Sequence, residues 1–272
     1  MSASVVDDVA SEPAVGVPEL TVESVGLRFG GIAALDDVTF TVRPGSIHAL
    51  IGPNGAGKSS CFNVICGVYR PTSGRVLVDG RDITNLRPHE RVRLGIGRSF
   101  QNVALSTGST VLDNVMLGRH TLTRGGFVQG ALRLPNVVRE ERRHRRRVAE
   151  ICDFLGISNR LHDEVRTLPY GITKLVDIAR AVAVEPSILL LDEPAAGLDA
   201  NETQEMASVI RDLASALGIS ILLVEHDMGL VMRVAEHITV LDFGRHIAEG
   251  TPAEIQKDPA VISAYLGTGR EA

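Results

Sequence analysis

The sequence predicts an α/β protein with a mixed core sheet, an antiparallel β subdomain and an inserted helical subdomain. Two runs rich in Ile, Leu and Val, SILLLDEP and SILLVEHD, each follow a helical pattern, as strands of a buried parallel sheet do. Alternating runs near the N-terminus are typical of antiparallel strands. We therefore expect a flexible tail over residues 1–19 and one domain over residues 20–272, with the helical subdomain at about 102–180.

The composition excludes several classes of protein. With 272 residues, 44% of them hydrophobic, the chain can bury a large core. A net charge of −5, with 4% aromatic residues and no Trp, argues against a nucleic-acid-binding surface. The acidic N-terminus does not resemble a secretion signal, and no run of ~18 apolar residues predicts a membrane span. Cys61, Cys66 and Cys152 form neither a CxxC pair nor an even set, which indicates buried thiols in a reducing compartment.

The first elements are short strands that lead to a glycine-rich loop. The runs ELTVESVGLRFG and ALDDVTFTVRPG predict an antiparallel pair, and the apolar run SIHALIG predicts a buried strand. That strand ends in a loop which opens the predicted helix KSSCFNVICGV. Further short strands are expected at RVLVDG and near IGRSF.

The glycine-rich loop carries the phosphate-binding pattern G-x-x-x-x-G-K-[ST], between a strand and a helix as its mechanism requires. Its glycines let backbone N–H groups wrap around phosphates. Lys58 can then reach the β and γ phosphates of a nucleotide, and the Ser59 hydroxyl can bind Mg²⁺. The predicted nucleotide-binding residues of this loop are Gly52, Pro53, Asn54, Gly55, Ala56, Gly57, Lys58, Ser59 and Ser60.

The middle of the chain contains the charge run REERRHRRR, residues 139–147. Glu140 with His144, and Glu141 with Arg145, are spaced i,i+4, which supports an exposed helix. A solvated helical face is the first interpretation of this run. Contact with anionic lipid headgroups or with a partner loop is the alternative.

The later strand ILLLDEP ends in two carboxylates. Asp192 can hold Mg²⁺ through water, and Glu193 can polarise an attacking water as a general base, which predicts a hydrolase. We expect SIHALIG and ILLLDEP to lie side by side in one sheet. Lys58, Ser59 and the two carboxylates would then face the same magnesium-bound triphosphate.

The order of these motifs resembles the ATP-binding subunits of ABC transporters, a branch of the P-loop NTPases. The resemblance rests on GPNGAGKSS, SFQN, LPYGITK about twenty residues before LLLDEP, then AAGLD and VEHD, and it covers about residues 20–272. It implies ATP and Mg²⁺ as cofactors. It also implies that Gln101 senses Mg²⁺ and the membrane partner, that Asp199 crosses a dimer interface, that His226 contacts the γ phosphate and that Phe29 stacks on adenine.

The stretch LPYGITK raises a separate question, because the helical pattern starting near Gly171 has no Ser, Thr, Asp or Asn as its cap. In the family, this helix points its N-terminus at the γ phosphate held by the opposite subunit, and exposed N–H groups suit that anion. The family's Leu-Ser-Gly-Gly-Gln survives here only at Leu168 and Gly171, since Pro169, Tyr170 and Ile172 replace the others. Pro169 donates no hydrogen bond, so we expect a weaker composite site.

The Tyr-Gly signature, the long stretch between Gln101 and Leu168, EPAAGLD, VEHDMGLVM and the ending EGTPAEIQKDPAVISAYLG are similar to those of branched-chain amino-acid importers. Asp258 and Pro259 in that ending suit the start of a last helix. The resemblance implies a cytoplasmic protein on the inner face of the cell membrane. Its implied partners are a second, different ATPase chain, two permeases and an external binding protein. A lipopolysaccharide-type exporter ATPase and a soluble ABC ATPase remain alternatives.

Overall fold

The computed structural model describes residues 16–99, 104–122 and 135–267. These residues form two sheets and a set of helices. The strands are β1 (Leu20–Phe29), β2 (Ile32–Val42), β3 (Ile47–Ile51), β4 (Ser73–Val78), β5 (Arg81–Asp82), β6 (Ile96–Arg98), β7 (Ile188–Asp192), β8 (Ser220–Val224), β9 (His237–Asp242) and β10 (Arg245–Gly250). The α-helices are α1 (Lys58–Ile65), α2 (Pro88–Arg93), α3 (Val111–Arg119), α4 (Pro135–Phe154), α5 (Tyr170–Val182), α6 (Ala200–Leu217), α7 (Met228–Val234), α8 (Pro252–Ile255) and α9 (Pro259–Gly267).

The smaller sheet is antiparallel, with strand order β2-β1-β4-β5, as the alternating runs predicted. The turn between β1 and β2 consists of two glycines, so that Phe29 pairs with Ile32. Leu20, Val22 and Phe40 from this sheet are buried against α1. The antiparallel β subdomain therefore packs on the helix that follows the glycine-rich loop.

The larger sheet has strand order β10-β9-β3-β8-β7-β6 and is mixed, since only β10 runs antiparallel to its neighbour. The prediction that β3 and β7 lie side by side is wrong. Strand β8 lies between them, because Ile221 pairs with Ile47 on one side and with Leu189 on the other. The carboxyl ends of these parallel strands still share one sheet edge, where ligands of such sheets bind.

The helices α3, α4 and α5 pack on one another through a core that includes Val148 and Val176. On the exposed face of α4, Arg145 lies 3.0 Å from Glu141, which confirms one predicted i,i+4 pair. The other pair is also present, with His144 3.8 Å from Glu140, but the His144 side chain is buried, so this part of the charge run does not face solvent as predicted. The last helix begins at Pro259, as predicted, and the Asp258 carboxylate accepts hydrogen bonds from its first turn.

The three cysteines are buried and carry no disulfide, as their spacing indicated. Burial raises the pKa of Cys61 and Cys66 to about 12 and that of Cys152 to about 11, so each remains a thiol at neutral pH. Within residues 16–99, 104–122 and 135–267, none of the helices combines the length and the apolar character needed to cross a bilayer.

Candidate nucleotide site

The glycine-rich loop connects β3 to α1 and lies against the end of β9 and the start of β2. A Cβ atom on Gly52 would overlap the Leu241 carbonyl oxygen, and one on Gly57 would lie 2.7 Å from the Ala34 oxygen. Only glycine fits these positions, so the loop can wrap tightly and leave its backbone open. Residues 54–60 at this loop line a cavity of about 560 Å³, and the rest of its lining comes from other parts of the chain: Ile32, Ala33, Ala34, Glu193 and Phe243.

Lys58 begins α1 and is held inside the loop. Its Nζ donates to the carbonyl oxygens of Gly52 at 2.7 Å and Pro53 at 2.9 Å. Burial lowers the pKa of the ammonium, and the charges of Glu193 and Asp192 oppose that shift. The ammonium could exchange these loop carbonyls for the oxygens of a phosphate bound at the loop.

Asp192 is the last residue of β7 and is 4% exposed. Among the described residues, its Oδ1 atom has no hydrogen-bond partner. Burial raises the pKa of this carboxyl to about 6, with the Arg98 charge opposing and the Glu193 charge adding to the shift. A buried carboxylate oxygen without a donor is a site that a cation would stabilise.

Glu193 directly follows Asp192 and lines the cavity at the glycine-rich loop. Its backbone N–H donates to the Val224 carbonyl at 2.9 Å, which fixes it at the end of β8. The Nδ1 atom of His226, which is 55% exposed, lies 3.9 Å from Glu193 Oε1. The ends of two neighbouring parallel strands thus bring together the predicted base and the predicted γ-phosphate contact.

Two functional side chains at this edge were not predicted from the sequence. Glu225 is fully buried and accepts from the backbone N–H groups of Ala195 at 2.9 Å, His226 at 3.0 Å and Asp227 at 3.2 Å. It therefore ties the loop after β7 to the loop after β8. The sequence signal that could have identified Glu225 was an acidic residue directly before His226 in VEHD.

The second side chain that was not predicted is that of Lys174, on α5. Its Nζ donates to the Glu193 carbonyl at 3.0 Å and lies 5.6 Å from the centre of the Tyr170 ring. Lys174 is 3% exposed. The sequence offers no signal for this contact, since a lysine in the first turns of a helix is ordinarily solvated.

The signature stretch LPYGI, residues 168–172, does not line this cavity. Pro169 precedes α5 without any side-chain cap, as predicted, and its carbonyl accepts from Thr173 N at 3.0 Å. The Tyr170 ring packs on Gly197, where a Cβ would lie 3.0 Å from the ring edge. Leu168 packs against the helical core. A Cβ on Gly171 would lie 2.7 Å from Glu202 Oε1.

The other predicted site residues are placed as follows. Asp199 caps α6, accepting from the N–H groups of Asn201 at 2.8 Å and Glu202 at 2.9 Å. Phe29 is 48% exposed, meets the Tyr69 ring edge-on at 5.2 Å and is not among the residues that line the cavity. Gln101 lies outside the described residues.

Comparison with known proteins agrees with this geometry. Residues 35–196 match the model of the ABC transporter family, and residues 245–271 match that of the branched-chain amino acid ATP-binding cassette transporter. The chain is 38% identical to the high-affinity branched-chain amino acid transport ATP-binding protein BraF of Pseudomonas aeruginosa, over 92% of this chain and 98% of BraF. The same figures hold for LivG of Escherichia coli, whose descriptive name is identical.

Two solved structures are also similar. A nucleotide-free ATP-binding cassette from an ABC transporter is 30% identical, with a TM-score of 0.80, and covers 91% of this chain and 98% of that one. The ADP conformation of another such cassette is 31% identical, with a TM-score of 0.81, and covers 92% and 99%.

Proposed function

Because this chain belongs to the ABC transporter family, as an ATP-hydrolysing subunit of its branched-chain amino-acid group, we propose that it powers the import of branched-chain amino acids. The observation that carries the substrate proposal is the match at residues 245–271, since the model matched there describes that group alone. The identity to BraF and LivG over nearly their whole length supports the same substrate.

In this proposal the triphosphate of ATP lies along the loop from Asn54 to Ser60. Lys58 turns from its loop carbonyls to the β and γ phosphates, and backbone N–H groups neutralise developing charge. Glu193 activates the attacking water, and His226 steadies the γ phosphate. The 3.9 Å between the Glu193 carboxylate and the His226 ring supports a shared role at one phosphate.

Mg²⁺ fits the residues present. Among the described residues, the Oδ1 atom of buried Asp192 has no hydrogen-bond partner, so a cation there would be stabilising. Ser59 lines the cavity, as does Glu193, the residue directly after Asp192. We propose that these two groups hold the ion, with Gln101 as a further ligand. Bound Mg²⁺ would neutralise charge on the β and γ phosphate oxygens.

We further propose that the active form contains a second, different ATPase chain, two permeases and an external binding protein, on the cytoplasmic face of the membrane. The chain's own cavity is not lined by Leu168, Pro169, Tyr170 or Gly171, which suits a role for them at the site of the opposite subunit. In such a dimer Asp199 would approach the partner's site. Because Pro169 lacks a hydroxyl, the composite site that uses this signature would be the weaker of the two.

Two variants test the chemistry. Lys58→Ala should abolish high-affinity ATP binding in calorimetry, because it removes the cation that meets the phosphates. Glu193→Gln should retain binding but lower turnover by ~10²-fold or more, because the amide cannot accept the proton of the attacking water. Near-normal hydrolysis by Glu193→Gln would remove Glu193 from the role of base.

A transport assay in proteoliposomes tests the proposed substrate. The ATPase pair, assembled with its permeases in proteoliposomes, should accumulate radiolabelled leucine, isoleucine and valine when the binding protein and ATP are supplied on opposite sides. The Glu193→Gln variant in the same liposomes is the control. ATP-dependent uptake of urea or short amides, with none of the branched-chain amino acids, would contradict the substrate proposal but leave the ATPase intact.

A further inference from the structure

The two most exposed large apolar side chains of the described residues are Phe243, at 82%, and Ile32, at 75%. Single exposed apolar residues are common on protein surfaces. These two, however, line the same cavity, the one formed by the glycine-rich loop and Glu193. They belong to different sheets and are far apart in the chain, so their convergence is a property of the tertiary structure.

The residue type at position 243 is unusual for its turn. Asp242 pairs with Arg245, so Phe243 and Gly244 form a two-residue hairpin turn, and both have positive φ, at +43° and +77°. Turns of this kind favour Asn-Gly, because asparagine tolerates the left-handed region better than other side chains. The turn explains the backbone of Phe243 but not the choice of phenylalanine.

The hairpin holds Phe243 at a fixed distance from the glycine-rich loop. Gly244 N donates to the Ala56 carbonyl at 3.0 Å, and its own carbonyl accepts from Asp36 N at 2.8 Å. Arg245 adds two hydrogen bonds to the Asp36 carboxylate, at 2.9 and 2.7 Å. Because the turn is anchored to the glycine-rich loop, the exposed ring of Phe243 is preorganised for a ligand.

We propose that Phe243 is a nucleoside-contacting residue, which covers the base and ribose of the bound nucleotide from the β9–β10 turn, with Ile32 as the second apolar wall. This proposal deepens, and rests on, the nucleotide site proposed above. The ligand is a nucleoside, whose flat base stacks on aromatic rings. Phe29, the platform expected from the family resemblance, already meets the Tyr69 ring edge-on and does not line this cavity.

The variant Phe243→Asn separates a binding role from a structural one, because the two roles predict opposite effects. Asparagine suits the turn, so the thermal midpoint should stay unchanged or rise. Binding of MgADP and of a non-hydrolysable MgATP analogue to the full chain should weaken about 5- to 150-fold, the range that corresponds to losing one base–aromatic stack. Binding of magnesium tripolyphosphate, which has no nucleoside, should not change.

Two further variants complete the experiment. Phe243→Tyr keeps the ring and should bind MgADP as the natural chain does. Phe154→Asn makes the same exchange at an exposed phenylalanine, at the end of α4, that does not line the cavity, and should change no affinity.

Normal MgADP binding by Phe243→Asn would overturn the inference, even if dimer formation were impaired, because the ring would then serve the partner subunit. An equal loss of tripolyphosphate binding would also overturn it. If the natural chain bound neither tripolyphosphate nor MgADP, the proposed nucleotide site itself would fail, and this inference with it.

Discussion

At the scale of single residues, the conformation of Glu193 needs an explanation. Its φ of +48° lies in the left-handed region, which costs an L residue other than glycine about 1 kcal/mol or more. Hydrogen bonds hold it on both sides, from its N–H to the Val224 carbonyl and from Lys174 to its own carbonyl. We therefore propose that Lys174 is a positioning residue for the proposed base.

The variant Lys174→Met tests this role. It keeps the length of the side chain but removes the donor to the Glu193 carbonyl, so we expect turnover to fall about 10-fold as the base loses its orientation. The KM for ATP should stay unchanged, because Lys174 does not line the cavity. Steady-state ATPase kinetics of the assembled transporter would measure kcat and the KM for ATP separately.

Lys174→Gln can still donate to the carbonyl and should recover most of the turnover. Lys257→Met makes the same change at an exposed lysine and should have no effect. A Lys174→Met enzyme with a lower thermal midpoint but normal kcat would show that Lys174 only stabilises the fold.

At the scale of elements, β3 carries a buried histidine just before the glycine-rich loop. His48 is fully buried, stacks on Phe40 at 5.4 Å between ring centres, and its Nε2 lies 2.9 Å from Thr239 Oγ1. Burial lowers its pKa from 6.5 to about 3, and the charges of His237, Arg43 and His246 act in the same direction. The folded chain therefore keeps His48 neutral where the unfolded chain protonates it.

This difference predicts an acid sensitivity. The stabilising contribution of neutral His48 is fully present above pH 6.5 and is lost as the pH falls toward about 3, because the unfolded state binds one more proton. The free energy of unfolding should fall by up to about 1.4 kcal/mol per pH unit from this residue. Urea unfolding of the natural chain and of His48→Gln between pH 7.5 and 4.5 would show a shallower decline for the variant.

His162→Gln, at an exposed histidine, is the matched control and should keep the slope of the natural chain. Equal slopes for all three proteins would show that His48 is not the source of the acid sensitivity.

The start of α5 is a second element with a testable consequence. Pro169 has the extended backbone of a cap residue, with φ of −55° and ψ of 151°, but its side chain offers no oxygen to the first turn. In the proposed dimer the hydroxyl of Pro169→Ser would meet the γ phosphate of the opposite site, so ATPase activity of the assembled dimer should rise several-fold. Stability should change little, because a new cap adds about 1 kcal/mol and the loss of proline removes about as much.

Pro259→Ser, at the start of α9, is the control and should leave the ATPase rate unaltered. An unaltered rate in Pro169→Ser would indicate that Gly171 and the open helix end already suffice for the γ phosphate.

At the scale of the whole molecule, one arginine joins the helical region to the core sheet. Arg119 ends α3, is 5% exposed, and donates to His144 on α4 at 3.0 Å. It also donates to the Ala183 carbonyl at 3.1 Å and to Glu185 at 2.8 Å, in the segment that leads to β7. We propose that residues 20–272 act as one ATPase domain, whose helical subdomain at about 102–180 is held to the rest of the domain through this junction.

Removing this guanidinium should weaken the whole fold. In Arg119→Met we expect about 2–3 kcal/mol less unfolding free energy, because buried acceptors on two elements lose their donor. Scanning calorimetry should show a thermal midpoint lower by about 4–8 °C. Arg146→Met, on the exposed face of α4, should not lower it, and an equal midpoint in both variants would remove Arg119 from this role.

The sequence by itself determined the features that depend on neighbouring residues. The phosphate loop and its flanking strand and helix, the two carboxylates after β7 and the uncapped start of α5 follow from local backbone preference and side-chain chemistry. Residue spacing alone indicates these local features, because the groups that interact in each are only a few positions apart in the chain.

The tertiary structure decided which distant groups meet. It placed β8 between β3 and β7, joined Glu225 to Ala195 and Lys174 to the Glu193 carbonyl, and brought Phe243 to the cavity of the phosphate loop. Strand order and long-range side-chain contacts depend on how the sheets and helices pack together. Local sequence patterns do not encode that packing, because a residue's immediate neighbours do not specify its partners from other elements.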